Sequence, residues 1–189
     1  MESVYGEEGY TRSMNGRLSI RPIGASDVNG LEASMPTGPE GRHGTHLEEQ
    51  ERGEVVYLVA HLGSEPVGHL LLSWHRPNPE EAPGAPADRP HVSEFGVRPD
   101  LQSRGIGSKM LMEAERRARW AGATELGLSV EVENSRALAL YRRHGYRVVD
   151  APPFVYTYET MGRDGRRHLH HEACVDMSKC LAPWDKRDR

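Results

Sequence analysis

The chain has 189 residues and a net charge of −4, with 28% charged and 37% hydrophobic residues, a composition typical of one soluble globular domain. It carries no basic block, which argues against a nucleic-acid surface, and no apolar run approaches the roughly 18 residues that cross a membrane. The acidic start lacks the features of a signal peptide and the two cysteines form no disulfide framework, so we expect a cytoplasmic protein.

The first part of the chain predicts few regular elements. Residues 1–15 have no periodic pattern and are expected to form a mobile tail. A short strand is predicted at residues 18–21 and a helix at residues 28–34. Either Ser26 or Asp27 is suited to cap that helix.

Residues 35–54 are polar and rich in Gly, Pro, His and Glu, which favours a loop or a broken helix. Their glutamates form either a solvated helix face or the border of a pocket that attracts a cationic amine. A hairpin is predicted next, with strands at 55–62 and 67–74. The proline-rich residues 76–90 then predict a flexible excursion with no core-building pattern.

Residues 91–107 have the pattern of strand, tight turn and helix start. The β-prone run 91–97 stops before a proline, and Gly105 and Gly107 open an amphipathic pattern that continues to residue 121. The first turn of a helix has unpaired N–H groups and partial positive charge, so it favours a phosphate. Glycine has no Cβ to keep that phosphate away. We call residues 98–107 the glycine loop and interpret it as a phosphate-binding site.

Two common nucleotide-binding motifs do not match this loop. The triphosphate motif needs glycine followed by lysine, and here Lys109 follows Ser108. The dinucleotide motif needs a third glycine, and Met110 stands in its place. An unrelated nucleotide-binding protein is therefore disfavoured.

A second patterned segment follows. Residues 126–132 alternate between apolar and polar side chains, as in a half-buried strand. Asn134 and Ser135 supply an N-cap for a helix at 136–144. Gly145 then ends the helix, and residues 146–149 predict another strand.

Both segments resemble signatures of the GNAT superfamily of acyl-CoA-dependent N-acyltransferases. The first resembles its pyrophosphate-binding motif, Q/R-x-x-G-x-G/A, and reads Gln102-x-x-Gly105-x-Gly107. The second resembles N-x-x-A-x-x-L-Y-x-x-x-G-[FY], and reads Asn134-x-x-Ala137-x-x-Leu140-Tyr141-x-x-x-Gly145-Tyr146. They occur in the order and at the separation usual in the family.

The resemblance implies an α/β layered fold: a mixed, mostly antiparallel central sheet flanked by helices, whose central strands splay apart to admit the cofactor. It extends over residues 18–150 and is weaker beyond them. We expect a single domain at 16–182 between an N-terminal tail and a C-terminal tail at 183–189.

The resemblance also implies that acetyl-CoA is the cosubstrate. The residues that it assigns to acetyl-CoA binding are Val97, Gln102, Ser103, Arg104, Gly105, Ile106, Gly107, Ser108, Asn134 and Tyr141. Arg98 is a further candidate for the phosphates, although Arg104 is favoured because it lies inside the glycine loop.

Attack of an amine on a thioester requires a base, stabilisation of an oxyanion and an acid for the leaving thiolate. In the family the acid is a tyrosine at the position of Tyr141, whose ordinary pKa of about 10 keeps it protonated at neutral pH. The oxyanion is bound by backbone N–H on the central strand, for which Val97 is the candidate.

Glu94 matches the place where many relatives carry their base, and alternation along the strand puts it on the opposite face from Phe95 and Val97. The alternative is a structural ion pair or a solvated edge position. Three histidines, His75, His91 and His144, are held in reserve as bases.

The C-terminal part predicts a hairpin, with strands at 154–160 and 171–177. His168, His170 and His171, with Cys174 and Cys180, invite a zinc hypothesis, but their spacing matches no standard site, so we expect no metal.

These inferences predict an acetyl-CoA-dependent N-acetyltransferase that acts on a primary amine of a small molecule by direct attack. Two alternatives stay open: an enzyme of the same fold that acetylates a protein N-terminus or lysine, and a non-catalytic acyl-CoA sensor. The sequence predicts no nucleic-acid or membrane partner and leaves a homodimer open. Arginine outnumbers lysine, which indicates a GC-rich bacterial genome.

Overall fold

The computed structural model describes residues 16–37, 41–76, 88–161 and 166–183. The expected tail at residues 1–15, most of the expected C-terminal tail and most of the proline-rich excursion lie outside these residues. Within them, the strands are β1 Leu18–Pro22, β2 Val55–Leu62, β3 Glu65–Ser73, β4 His91–Val97, β5 Glu125–Glu131, β6 Arg147–Val148, β7 Phe154–Met161 and β8 Arg167–Cys180. The helices are α1 Ala25–Ser34, α2 His43–Glu51, α3 Ile106–Trp120 and α4 Ser135–Arg143, and a short 3-10 helix, Pro99–Leu101, follows β4.

The strands form one mixed sheet in the order β1-β2-β3-β4-β5-β8-β6, with β7 paired to β8. All of these neighbours pair antiparallel except β4 and β5, which are parallel. A parallel pair needs a long crossover, and α3 supplies it. The predicted mixed, mostly antiparallel sheet is confirmed.

The parallel pair is short. β4 and β5 are in register only at His91 with Gly127 and at Val92 with Leu128. Beyond these residues the two strands diverge and leave a gap, which we call the cleft. The predicted splaying of the central strands is therefore confirmed, and it leaves one edge of β4 without a strand neighbour.

Helix α3 packs one face against the sheet. Its buried side chains include Met110, Leu111, Ala114 and Ala118, which belong to the main hydrophobic core. This stripe is the one that the helical spacing in the sequence predicts. None of the helices that the structure describes is long and apolar enough to cross a membrane.

The expectation of a loop or broken helix at residues 35–54 is wrong for the nine residues of α2. Two histidines, His43 and His46, are fully buried on this helix. Because both are polar residue types, a count of apolar positions does not register the buried face that stabilises the helix.

Arginines at the two ends of the proline-rich segment, in which the sequence shows no core-building pattern, are buried in the protein interior. Arg76 and Arg89 both form ion pairs with Asp176 on β8, and all three side chains are buried. Arg89 lies directly over Gly127, where a Cβ would come within 2.3 Å of its Nε atom. A glycine is therefore needed on β5 at this position.

Candidate active site

The glycine loop leads directly into α3 through a strained backbone. Gly105, the N-cap residue, has a φ of +81°, and Ser103 has a φ of +63°. A Cβ at Gly105 would meet no atom within 4 Å, so its conformation, rather than crowding, requires glycine. Ser103 adopts the same left-handed region at a cost, and its Oγ accepts a hydrogen bond of 3.0 Å from Arg136.

Free N–H groups mark the start of α3. The first backbone hydrogen bond of the helix runs from Lys109 N–H to the Gly105 carbonyl, and no side chain caps the helix. The N–H groups of Ile106, Gly107 and Ser108 precede that bond and are left without an intrahelical partner. Such a helix start can bind an anion.

Two side chains of the glycine loop have other contacts. Gln102 donates from Nε2 to the Val97 carbonyl at 2.8 Å and accepts from Arg136, so its side chain holds the loop against β4 and α4. Arg98 forms ion pairs with Glu65 and Asp100. Arg98 is thus already neutralised, and the suggestion that it assists phosphates loses its support.

Arg104 is exposed, and no ion pair within the described residues engages its guanidinium. Gly107 faces inward, since a Cβ there would lie 3.5 Å from Phe95 and 3.6 Å from Leu140. Among the described residues, the loop therefore presents an unpaired cation to solvent, and Gly107 packs against side chains of β4 and α4.

The amide of Val97 points toward the cleft. Arg98 N–H donates to the Val67 carbonyl on β3 at 3.0 Å. Successive N–H groups along a strand point to opposite edges, so the Val97 N–H points away from β3. On that side β5 has already diverged, and this N–H is available to a ligand.

Tyr141 lies on α4 beside the same strand. It is only 7% exposed, and its ring centroid lies 6.4 Å from that of Phe95 and 6.1 Å from that of Tyr146. Burial raises the pKa of Tyr141 to about 12. No group in the described residues hydrogen-bonds to its hydroxyl, which is free to donate to an incoming acceptor.

Asn134 caps α4 as predicted: its Oδ1 accepts from the Ala137 N–H at 3.0 Å. This contact holds the start of the helix that carries Tyr141. Contact between Asn134 and acetyl-CoA, like the other predicted acetyl-CoA contacts, stays a prediction.

A β-bulge positions Glu94. On β3, His69 pairs with Gly96 and Leu71 pairs with Ser93, so Glu94 and Phe95 together face a single residue. Glu94 has a φ of +45°, which is rare for a residue with a side chain. The bulge lets Phe95 join the core on the α3 face while Glu94 points to the α2 face.

Glu94 is held by two cations. Its Oε2 lies 2.8 Å from His46 Nε2, and its Oε1 lies 2.8 Å from Arg42 Nη1. Burial raises the pKa of Glu94, but the hydrogen bond from His46 and the charges of His46 and Arg42 outweigh it and leave the pKa below its ordinary value. The ion pair that one of the two hypotheses for Glu94 expects is therefore present, and its role as the base stays a prediction.

His46 is clamped between two carboxylates. Its Nδ1 lies 2.7 Å from Glu49 Oε2 while its Nε2 contacts Glu94. Burial lowers the pKa of His46, but hydrogen bonds to Glu94 and Glu49 more than offset this and raise it. Glu49, one of the glutamates of residues 35–54, therefore borders the site through its contact with His46.

Sequence reasoning missed Arg42 and His46, together with a layer beneath them. His43 hydrogen-bonds to the Tyr57 hydroxyl at 2.8 Å, and burial lowers the pKa of the adjacent His69 to about 4. The three-residue spacing of His43, His46 and Glu49, which puts them on one helical face, is the sequence signal that could have revealed this group.

The reserve histidines do not contact Glu94. Burial, with the nearby charges of Arg76 and Arg89, lowers the pKa of His91 to about 3. His144 ends α4 and His75 is exposed. In the described residues, no group of three or more His, Cys, Asp or Glu side chains is arranged to hold a metal.

Comparison with known proteins places this geometry in a family. A family model described as the acetyltransferase (GNAT) family matches residues 27–146. The chain is 31% identical over 94 residues to the mycothiol acetyltransferase of Saccharomonospora viridis, covering 50% of this chain and 30% of that protein. It is 28% identical over 102 residues to the L-amino acid N-acetyltransferase AaaT of Escherichia coli, covering 52% of this chain and 57% of that protein. The chain thus spans less than two thirds of either relative.

The fold matches solved structures over nearly its whole length. PaiA N-acetyltransferase from Thermoplasma acidophilum, in complex with coenzyme A, superposes with a TM-score of 0.61 at 17% identity, covering 87% of this chain and 99% of that one. At this identity the likeness shows the fold.

Proposed function

This chain belongs to the acetyltransferase (GNAT) family, and we propose that it transfers an acetyl group from acetyl-CoA to a primary amine of a small molecule by direct attack. The observation that carries the proposal is the open edge of β4. The Val97 N–H points out of this edge, the unpaired N–H groups at the start of α3 follow the same strand along the chain, and Tyr141 packs against Phe95 of that strand.

The residues present suit acetyl-CoA. Its pyrophosphate would lie against the first-turn N–H groups of Ile106, Gly107 and Ser108, with the exposed Arg104 nearby. Its thioester would enter the cleft, where the Val97 N–H is free to bind the carbonyl oxygen. The solved structure of similar fold in complex with coenzyme A supports this choice of cosubstrate.

Each chemical task then has a candidate group. The amine nitrogen attacks the thioester carbon while the Val97 N–H stabilises the developing oxyanion. Glu94 accepts the proton that the amine loses, directly or through a water, and the carbon–sulfur bond breaks. Tyr141 donates its proton to the departing sulfur, and its raised pKa keeps the hydroxyl protonated at neutral pH before that step.

The acceptor is proposed to be a small molecule. The relative named as an L-amino acid N-acetyltransferase supports this class. A protein amine is the alternative, and the acidic residues near α2 would suit a basic peptide. A non-catalytic sensor is disfavoured because Tyr141 is present and its hydroxyl is unengaged among the described residues.

We further propose a cytoplasmic, bacterial protein. Both cysteines, Cys174 and Cys180, are free thiols, as expected in a reducing compartment. The two relatives compared above come from bacteria.

The test is release of CoA thiol from acetyl-CoA in the presence of a panel of amino acids, polyamines, aminoglycosides and basic peptides. Turnover with a small amine supports the proposal, and turnover with peptides alone favours the alternative. If CoA binds but no amine is acetylated, the enzyme assignment fails and the sensor hypothesis replaces it.

A further inference from the structure

We propose that Arg42 is a carboxylate-binding group and that the acceptor is a free α-amino acid. This rests on the proposed function, since it names the substrate class of the same site. The observation behind it is the ion pair between Arg42 and Glu94, the proposed base.

The two side chains differ in how they meet solvent. Arg42 is 54% exposed and Glu94 is 21% exposed, so the guanidinium lies on the outer side of the carboxylate. Nη1 contacts Glu94, and the remaining N–H groups of the Arg42 side chain have no partner among the described residues. Arg42 therefore has a free edge on which a second carboxylate can bind as a planar fork.

Glu94 is fixed from behind. The buried His46 holds Oε2, while Arg42 is the only group among the described residues that pairs with Oε1. An incoming group reaches Oε1 by displacing Arg42, and it reaches the Oε2 side only by disrupting the interior. Oε1 is thus the atom placed to accept a proton from the amine.

An α-amino acid matches this pair of groups. It carries an amine and a carboxylate on one carbon, and here a carboxylate and a guanidinium stand 2.8 Å apart. The amine would approach Oε1 of Glu94 while the substrate carboxylate takes over Arg42. Because Arg42 then turns from Glu94 to the substrate, binding frees the atom that the reaction needs.

Charge supports the same substrate class. Arg42 is the charge that an incoming amine meets first, because it is the more exposed partner of its ion pair with Glu94. A purely cationic amine would add uncompensated charge next to Arg42 and be repelled by it. An amino acid that has lost its ammonium proton is an anion, and Arg42 stabilises that reactive form.

A peptide N-terminus lacks the carboxylate that a free amino acid carries beside its amine. Its α-carboxyl group is an amide, which carries no charge for Arg42 to pair with. The geometry therefore favours free amino acids over peptides, and it makes the amino acid amide the matched probe, since the amide keeps the amine and the side chain.

The experiment measures kcat/KM for the common L-amino acids and for their α-carboxamides, by thiol release, in the parent protein and in Arg42→Gln and Arg42→Lys. We expect the best amino acid to exceed its amide in the parent. In Arg42→Gln this preference should fall by about tenfold or more, as for loss of a charge-assisted hydrogen bond. Arg42→Lys should retain part of this preference, because lysine keeps the positive charge but lacks the planar guanidinium that binds a carboxylate through two N–H groups.

Arg52→Gln is the matched control. Arg52 is 53% exposed and also pairs with a glutamate, Glu54, at 2.7 Å. Its ion pair has no contact with Glu94, so the ratio of amino acid to amide should match that of the parent. Circular dichroism of each variant verifies that the fold is retained.

Calorimetry of amino acid added to the CoA-saturated protein separates this inference from the proposed function. Amino acid binding that Arg42→Gln abolishes supports the carboxylate subsite even if nothing is acetylated, in which case only the enzyme assignment fails. Equal turnover of amino acids and amides by the parent overturns the inference. So does a ratio that Arg42→Gln leaves unchanged, since Arg42 would then only position Glu94.

Discussion

Replacing Tyr141 with phenylalanine removes one oxygen atom and keeps the ring that packs between Phe95 and Tyr146. No group in the described residues hydrogen-bonds to that oxygen, so its loss leaves no protein partner unsatisfied. We expect the free energy of unfolding and the affinity for CoA to change by no more than ~1 kcal/mol. The rate should change much more, because the hydroxyl acts only when the sulfur departs.

If Tyr141 protonates the thiolate, kcat should fall by about 10²-fold. At about 1.36 kcal/mol for each factor of ten, this is roughly 2.7 kcal/mol of lost transition-state stabilisation. Since the pKa of Tyr141 is about 12, the parent should keep this proton donor over an assay range of roughly pH 6 to 10, and the variant's deficit should be constant across it.

Steady-state thiol release with the best amine of the panel measures both kcat and KM. Tyr146→Phe is the matched control: this tyrosine is also buried, with Lys179 5.8 Å over its ring, but it has no proposed role in the reaction. The control should retain the parent's kcat. A Tyr141→Phe variant with an unchanged kcat and a raised KM for acetyl-CoA would refute proton donation and leave Tyr141 a positioning role.

Three further predictions concern the base Glu94, the glycine loop and the buried ion pairs of Arg76 and Arg89 with Asp176. Glu94→Gln should keep CoA binding and lower the rate by about 10²–10⁴-fold, most at low pH where the amine is protonated. Because the pKa of Glu94 is lowered from 4.5, the fall in the parent's rate toward acid pH should reflect protonation of the amine. An unaltered pH–rate profile in the variant would assign the base to another group. Gly107→Val should weaken CoA binding by about tenfold or more in calorimetry. A Cβ at this position already lies 3.5 Å from Phe95 and 3.6 Å from Leu140, so the added methyl groups would displace the helix start that binds the phosphates. Unchanged affinity would contradict the placement of the pyrophosphate. Gly127→Ala should lower the free energy of unfolding by about 2–4 kcal/mol in urea titration, because its Cβ would drive Arg89 from a buried ion pair. Gly44→Ala is the control: its new Cβ would have no atom within 4 Å, so this variant should be neutral or stabilise α2 by up to ~1 kcal/mol. Equal stability of the two variants would contradict the packing of Arg89 on Gly127.

The ion pairs of Glu94 also predict how stability depends on pH. A lowered pKa in the folded state means that the carboxylate stabilises the fold fully above its unfolded pKa, near 4.5. This contribution should be lost as the pH falls through the lower folded value. Glu94→Gln should therefore flatten the acid side of a stability profile measured by urea titration, and a profile identical to the parent's would argue against the ion pairs.

The sequence by itself determined the parts of the site that neighbouring residues control. The start of α3 depends on a glycine that can adopt positive φ, and the start of α4 depends on the Asn134 side chain capping a nearby N–H. Both are local requirements, so short motifs were sufficient to locate the glycine loop, the Val97 edge and Tyr141. The helical spacing similarly predicted the buried face of α3, whereas the mixed sheet was implied by the resemblance to the family.

Tertiary structure alone decided the environment of Glu94. The bulge that turns its side chain toward α2 arises from the register between β3 and β4, which no local pattern specifies. His46, the partner that fixes its Oε2, lies 48 residues away in the sequence. Arg76 lies 100 residues from Asp176, in a segment whose composition predicts only flexibility. Such contacts form when strands pair and helices pack. Buried charges then need ion-pair partners, and the tertiary packing decides which residues lie near enough, whatever their separation in the sequence.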